Sequence, residues 1–343
     1  MSGDVNPPAG KAMRVLLSDV AAARHGARIR DAVPDVDLVP VAPDGALPDA
    51  AGIEVAFVTR DLFVGGTRHR LNPRFVRFTG LLQAAPALRW VQTFSAGTDM
   101  AVYQAMLARG LVLTNSTGAS APAVAQTAVT GLLALARQFP RIAAAQARQA
   151  WEPLYAEPEP REVEGQAALI LGTGPIGQEI GRLCRAFGLR TLGIRRDAAA
   201  GPPPGFDAVA GFAALPDLLP GTDWLILACP LTETTRDLID ADLLARLPPG
   251  RHLINVSRGG VVVEADLLAA LRSGHLAGAF LDVFGMEPLP PENPFWGLPN
   301  VIVSPHSAAA SDGLPERVAA IFCDNLRRFR HGEPLRNLAR PVA

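Results

Sequence analysis

The stretch ALILGTGPIGQEIGRL, Ala168 to Leu183, constrains this chain more than any other. The apolar run Ala168 to Leu171 predicts a buried strand. Gly172, Thr173 and Gly174 predict a sharp turn. Pro175 to Phe187 predicts a helix, with proline near its start, where a missing N–H costs little. The glycines fall at 172, 174 and 177, which is the spacing G-x-G-x-x-G. Each has a physical task. Gly172 permits the tight turn, Gly174 lets backbone approach a pyrophosphate, and Gly177 lets the helix lie close on the strand. The N–H groups and dipole of the helix N-terminus then favour the anion. Alone, the spacing is weak evidence; between a strand and a helix it predicts a dinucleotide-binding unit.

A chain of 343 residues predicts two domains. Ahead of the nucleotide motif, strands are predicted at Met13–Leu17, Val36–Val41, Ile53–Val58, Arg89–Phe94 and Leu111–Thr114, with helices between. Alternation of this kind predicts a second parallel α/β unit, one without the Gly-rich turn. Asn72 can cap a helix beginning at Pro73. Ser120 and Pro122 open a long apolar helix to about Arg137, expected to break at Pro140 and resume to Trp151. Pro153 to Glu164, rich in Pro and Glu, predicts a surface link. After the motif, strands are predicted at 190–194, 207–210, 224–228, 252–256, 277–281 and 301–303, and a last helix at about Leu314 to Arg330. The tail beyond it has no readable pattern.

The formal net charge of −1 argues against general affinity for nucleic acid. The most basic run, Arg327, Arg328, Arg330 and His331, closes the last helix, where cations complement the dipole. Cys184, Cys229 and Cys323 are far apart in apolar stretches, without metal-ligand spacing. They read as buried free thiols of a reducing compartment. No apolar run approaches the ~20 residues of a membrane span, and the first dozen residues carry no signal pattern. The expectation is a cytoplasmic enzyme with a disordered N-terminal segment, no metal and no membrane or nucleic-acid partner.

Three residues downstream of the motif are candidates to carry chemistry. Arg258 follows the strand in INVSRGG, Glu287 lies in LDVFGMEPLP, and His306 ends the last strand in VIVSPHS. Ligands of open parallel sheets bind beyond the carboxyl ends of strands. A guanidinium can hold a carboxylate in a fork. An imidazole can pass a proton near neutral pH. A carboxylate beside it can keep it oriented and protonated. Singly, each could be an ordinary turn or loop residue; the order Arg, Glu, His after a dinucleotide motif favours a site. His252 and His275 are expected to be structural, and His25, His69 and His331 have no comparable setting.

These motifs, with SAGTD at 95–99, GTGPIG at 172–177 and CPLTETT at 229–235, resemble the D-isomer-specific 2-hydroxyacid dehydrogenase family, including its glyoxylate/hydroxypyruvate reductases. The resemblance implies two Rossmann-like parallel-sheet α/β domains. The nucleotide domain (115–307) would be inserted into a discontinuous substrate domain (13–114 and 308–343). Arg258 would hold the substrate carboxylate and carbonyl, His306 would give a proton to the keto oxygen, and Glu287 would support His306. Backbone N–H groups at Ala96 and Gly97 would bind the carboxylate. Arg60 is either a second anion contact or a surface arginine. Cofactor contacts are implied for Gly172, Thr173, Gly174, Pro175, Ile176, Gly177, Cys229, Pro230, Thr235, Val256, Ser257 and Asp282. A homodimer is implied, with the Ser120–Arg137 helix as an interface element. Two positions depart from the common pattern: Gln126 and Gly285 stand where many members carry an acid.

The cofactor is read from the second strand of the nucleotide unit, Thr191 to Ile194. An NAD enzyme usually places Asp or Glu about 20 residues after the Gly-rich turn to bind the ribose 2′-OH. Arg195 takes that position and Arg196 follows, while Asp197 comes two residues late. Arginine binds a 2′-phosphate that a carboxylate would repel. The expectation is NADP in preference to NAD, with a small 2-keto acid such as glyoxylate or hydroxypyruvate reduced to the D-2-hydroxy acid. Two alternatives stay open: a nucleotide-sensing corepressor-like binding protein and a formate-dehydrogenase-like oxidase.

Overall fold

The computed structural model of the protein describes residues 12–66, 71–155 and 159–341. The expected N-terminal disordered segment, up to residue 11, lies outside the described residues, as do His69 and residues 156–158 of the expected link. The chain forms two compact units; one takes the chain up to Ser120 and again from Ser311, the other Ala121–Ala310.

The first unit runs β1 (Met13–Ser18), α1 (Asp19–Ala32), β2 (Val36–Val41), β3 (Ile53–Val58), α2 (Pro73–Ala84), β4 (Trp90–Thr93), α3 (Ala101–Ala108) and β5 (Val112–Thr114). Its strands are all parallel, in the order β2-β1-β3-β4-β5. Both faces are covered, so β1 and β3 are almost wholly buried apolar runs rather than alternating ones, while edge strand β2 exposes Asp37 and Pro40. Leu16, Val39, Phe75 and Phe78 pack on one face. Val15, Phe57, Trp90 and Phe322 pack on the other, where Phe57 stacks on Phe322 at 4.1 Å. Phe322 comes from the C-terminal helix, Leu314–His331, which returns to this unit. Asn72 caps α2 as expected, accepting the N–H of Arg74 at 2.8 Å. The unreadable tail has a definite task. Buried Asn325 binds both the N–H and the carbonyl of Arg336, and Leu338 then bridges antiparallel to Thr114 on edge strand β5. The edge is thereby closed to foreign strands.

The second unit runs α4 (Ala121–Ala136), α5 (Phe139–Ala147), β6 (Ala167–Leu171), α6 (Pro175–Ala186), β7 (Arg190–Ile194), β8 (Ala208–Ala210), α7 (Leu215–Leu218), β9 (Trp224–Leu227), α8 (Ala241–Arg246), β10 (Arg251–Asn255), α9 (Glu264–Arg272), β11 (Leu276–Leu281) and β12 (Val301–Val303). Its parallel sheet has the order β12-β11-β10-β9-β6-β7-β8. This is the doubly wound arrangement, with the switch point between β6 and β9. Ala168 to Leu171 are fully buried, as the apolar run predicts.

The long helix breaks earlier than expected. Its interruption is at Gln138, which adopts a left-handed φ of 55°, and Pro140 lies in the first turn of the new helix α5. Proline is comfortable in a first turn, so it starts α5 instead of ending α4. The second helix also stops at Ala147, short of Trp151, which is 96% exposed and has no core to pack on.

Candidate active site

The Gly-rich turn is built as its spacing predicts. Gly172 has φ +102°, and a Cβ there would sit 2.6 Å from the carbonyl oxygen of Ala228 at the end of β9. At Gly177 a Cβ would lie 1.9 Å from the carbonyl oxygen of Gly172. Both glycines are therefore required by the protein's own backbone. Gly174 differs: an added Cβ would meet nothing within 4 Å. Beyond the mild preference for glycine at a helix N-cap, no protein atom calls for it there, and the open face fits a pyrophosphate approaching the turn. The N–H groups of Thr173 and Gly174 have no acceptor among the described residues. Gln178 steadies the turn by donating to the Thr173 carbonyl at 2.9 Å. Pro175 is exposed and Ile176 partly buried at the start of α6.

Arg195 follows β7 directly. The Gly172 N–H donates to the carbonyl of Ile194 at 2.9 Å, which ties the phosphate turn to the residue before Arg195. The Arg195 N–H in turn donates to Ala210 in β8. Neither the Arg195 nor the Arg196 guanidinium makes an ion pair or hydrogen bond among the described residues. Asp197, the late acid, accepts the N–H of Ala199 and so caps its own loop. The residue set at the end of β7 fits a 2′-phosphate better than a 2′-hydroxyl.

Other expected cofactor contacts stand at strand ends of the same sheet. Cys229 and Pro230 follow β9, Val256 and Ser257 follow β10, and Asp282 follows β11. Three of their neighbours or members are committed to holding loops. Thr235 donates to the carbonyl of Pro230 at 2.7 Å. Ser257 donates to Asn255 Oδ1 at 2.8 Å. The carboxylate of Asp282, 2% exposed, accepts from Ser304 Oγ at 2.6 Å and from the N–H groups of Ser307 and Ala308. Burial pushes the Cys229 thiol up to about 11, so it is not a nucleophile.

Asp282 shapes the loop that carries His306. Its backbone carbonyl accepts the His306 N–H at 2.9 Å, and His306 holds a left-handed φ of 52°. A non-glycine residue costs about 1–3 kcal/mol in such a conformation and keeps it only where the surroundings dictate it. The result aims the imidazole at Glu287. His306 Nδ1 lies 2.7 Å from Glu287 Oε2, with the histidine side chain 43% exposed and the carboxylate 17%. Glu287 Oε1 accepts the N–H of Phe284 at 3.0 Å. An acceptor on Nδ1 places the ring proton there and leaves Nε2 as the proton-transferring atom.

Arg258 is partly buried, and its Nη1 donates to the carbonyl of Ser257 at 2.8 Å. Buried Asn255 shapes its turn, donating to the Arg258 carbonyl and accepting from Ser257. The turn is pressed on the Glu287 loop: a Cβ on Gly259 would be 2.0 Å from the carbonyl carbon of Phe284. Asn255 and Ser304 have no chemical signature of their own in the sequence. Their one signal is their place inside INVSRGG and VIVSPHS, beside Arg258 and His306.

In the first unit, Ala96 is exposed in the turn after β4, and the N–H groups of Ala96 and Gly97 have no acceptor among the described residues. Ser95 donates to the Gly97 carbonyl at 2.7 Å and fixes the turn. Arg60 is exposed on a single 3-10 turn, Arg60–Phe63. His252 and His275 are structural as expected; His275 Nε2 lies 2.9 Å from the Leu244 carbonyl.

A Gly-rich turn, a histidine bonded to a carboxylate and an arginine lie at the carboxyl edge of one parallel sheet and make up the candidate site. Residues 129–308 match the family described as D-isomer specific 2-hydroxyacid dehydrogenase, NAD binding domain. The chain belongs to the D-isomer specific 2-hydroxyacid dehydrogenase family. A glyoxylate reductase of Korarchaeum cryptofilum is 34% identical over 267 residues, 75% of this chain and 78% of that one. A solved D-isomer specific 2-hydroxyacid dehydrogenase family protein from Aeromonas salmonicida is 31% identical, with a TM-score of 0.78 over 96% of this chain and 99% of that one. An NADPH-dependent glyoxylate/hydroxypyruvate reductase from Sinorhizobium meliloti, solved with NADP and sulfate, is 28% identical, with a TM-score of 0.75 over 97% and 99%. As a 2-hydroxyacid dehydrogenase, the chain has its fold in both units, and the second unit contains the matched NAD-binding region. No helix among the described residues is long and apolar enough to cross a membrane.

Proposed function

We propose that this dehydrogenase reduces a small 2-keto acid of the glyoxylate or hydroxypyruvate type to the D-2-hydroxy acid, with NADPH preferred over NADH. The observation that carries the reading is the 2.7 Å pair of His306 and Glu287 in the unit that holds the Gly-rich turn. The nucleotide domain is assigned to the second unit and the substrate domain to the first. The turn from Gly172 to Gly177 would hold the cofactor pyrophosphate, and Arg195, with Arg196 beside it, the 2′-phosphate. When bound, NADPH supplies the hydride.

The chain's own residues do the rest. Arg258 holds the carboxylate and polarises the keto oxygen, so that charge developing there is stabilised. His306 gives the proton from Nε2 to that oxygen. Glu287 accepts the hydrogen bond from Nδ1–H and keeps the ring oriented so that Nε2 is the atom that delivers the proton. The unpaired N–H groups of Ala96 and Gly97 leave the Ser95–Asp99 turn of the first unit able to bind a carboxylate, and Arg60 is a candidate for a further anion contact. The assembly proposed is a homodimer through the α4–α5 region, whose Phe139 and Ile142 are exposed; sedimentation tests it. The compartment proposed is the cytoplasm.

The decisive measurement is kcat/KM for glyoxylate and hydroxypyruvate with NADPH and NADH, in wild type, His306→Ala and Arg195→Asp. His306→Ala should lose nearly all turnover while still binding NADPH. Each charged hydrogen bond to the 2′-phosphate contributes ~1.5–3 kcal/mol, so Arg195→Asp should move the cofactor ratio about ten- to hundredfold toward NADH. Wild-type preference for NADH, or an unmoved ratio in Arg195→Asp, defeats the NADP reading. Full turnover in His306→Ala removes His306 from the mechanism.

A further inference from the structure

Glu287 is not the only carboxylate that reaches the loop it sits on. Glu264, the first residue of α9, accepts the N–H of Gly285 through Oε1 at 2.6 Å. The N–H one residue earlier, that of Phe284, goes to Oε1 of Glu287 at 3.0 Å. Two consecutive backbone N–H groups thus serve two different carboxylates, one from the loop and one from α9. The far oxygen of Glu287 meets His306 Nδ1 at 2.7 Å. Gly259, on the segment that leads from Arg258 to α9, presses on the carbonyl of Phe284. The loop is therefore gripped at 284 and 285 from the Arg258 side, and what it presents is the partner of the proton donor.

We propose that Glu264 is a positioning residue for proton transfer: it anchors Gly285 so that Glu287 holds the His306 ring in register. This rests on the reductase reading above and adds a residue to it. The same geometry explains the departure at 285. A side chain there would start 3.4 Å from Glu264 Oε1, so an acid at 285 would set its carboxylate against that of Glu264. Glycine at 285 leaves the N–H open to a charge-assisted bond from α9. The duller duty of Glu264 is that of any acid in a first helical turn, which favours the dipole and affects stability alone. The two duties predict different kinetics.

The test compares Glu264→Ala, Glu264→Gln, Glu287→Gln and the Glu264→Ala/Glu287→Gln double variant, with NADPH and glyoxylate at 25 °C. Loss of one charge-assisted bond in the chain of contacts to His306 should lower kcat about tenfold in Glu264→Ala. The dissociation constant of NADPH should stay within twofold. Glu264→Gln keeps an acceptor oxygen and should recover most of the loss. In the Glu287→Gln background, Glu264→Ala should cost no more than a further twofold, because both act on one ring. An unchanged kcat in Glu264→Ala, no recovery in Glu264→Gln, or a full tenfold loss added to Glu287→Gln overturns the proposal. A second readout is independent of turnover: the downfield Nδ1–H proton resonance of His306 should weaken in Glu264→Ala and persist in Glu264→Gln. If it is the same in all three proteins, Glu264 does not position His306. Absence of wild-type turnover on any keto acid would instead refute the functional reading.

Discussion

Gly174→Ala separates the needs of the cofactor from those of the fold. At Gly174 the backbone has φ −72° and ψ −173°, a conformation alanine adopts freely. The new Cβ would meet no protein atom within 4 Å. The loss in stability is then only that of alanine for glycine at a helix N-cap, below about 1 kcal/mol. The cofactor pays more. A methyl group on the face that pyrophosphate must approach pushes the phosphate away from the N–H groups of Thr173 and Gly174, and losing one to two charged hydrogen bonds costs ~2–4 kcal/mol. Binding should weaken about 30- to 1,000-fold. Gly177→Ala is the control: its Cβ would lie 1.9 Å from the Gly172 carbonyl oxygen, so the turn must shift and both folding and binding should suffer. NADPH titration by fluorescence and thermal unfolding without cofactor measure the two effects. If Gly174→Ala binds NADPH as tightly as wild type, the pyrophosphate does not approach that face and the assignment of the turn is wrong. If Gly174→Ala unfolds as readily as Gly177→Ala, the steric argument fails.

Arg258→Ala should raise KM for the keto acid and lower kcat together, since the anchor also polarises the carbonyl; a change in KM alone would confine Arg258 to binding. His252 is buried against Trp224 at 4.3 Å, and its Nδ1 has no hydrogen-bond partner among the described residues. Burial, with Arg161 and Arg251 adding to it, pushes its pKa from 6.5 down to about 4. The unfolded chain therefore binds this proton first, and stability should fall as pH drops below 6.5 until the native ring is also protonated near 4. The full loss is about 3 kcal/mol, and His252→Phe should flatten that part of the pH–stability curve; the same slope in the variant would refute the assignment. Burial raises the thiol pKa of Cys184 to about 12 and of Cys229 to about 11, and that of Cys323 as well. Ellman's reagent should find no reactive thiol in the native protein and all three in denaturant, and rapid native labelling would count against buried thiols.

Much of this molecule is legible without coordinates because its signals are local. β2, β3 and β7 begin and end where the sequence places them, and β3 does so as an almost wholly buried run. The glycine spacing works through one turn and one helix start, within ten residues of chain, and needs no distant partner to be read. The position of Arg195 follows from the register of the strand before it. What tertiary structure alone decides depends on contacts between segments far apart in the chain. That Glu287 and His306 share a 2.7 Å bond across 19 residues is set by where β12 ends and how Asp282 folds the next loop. The left-handed φ of His306 has no sequence signature, since it is imposed by bonds from outside its own segment. The break at Gln138 hides from pattern reading because proline marks it two residues late. The tail looks like any polar C-terminus until Asn325 and the open edge of β5 give its backbone partners. Periodicity and propensity report what a residue does with its neighbours in the chain; hydrogen-bond partners across the sheet's edge appear only once the strands are laid side by side.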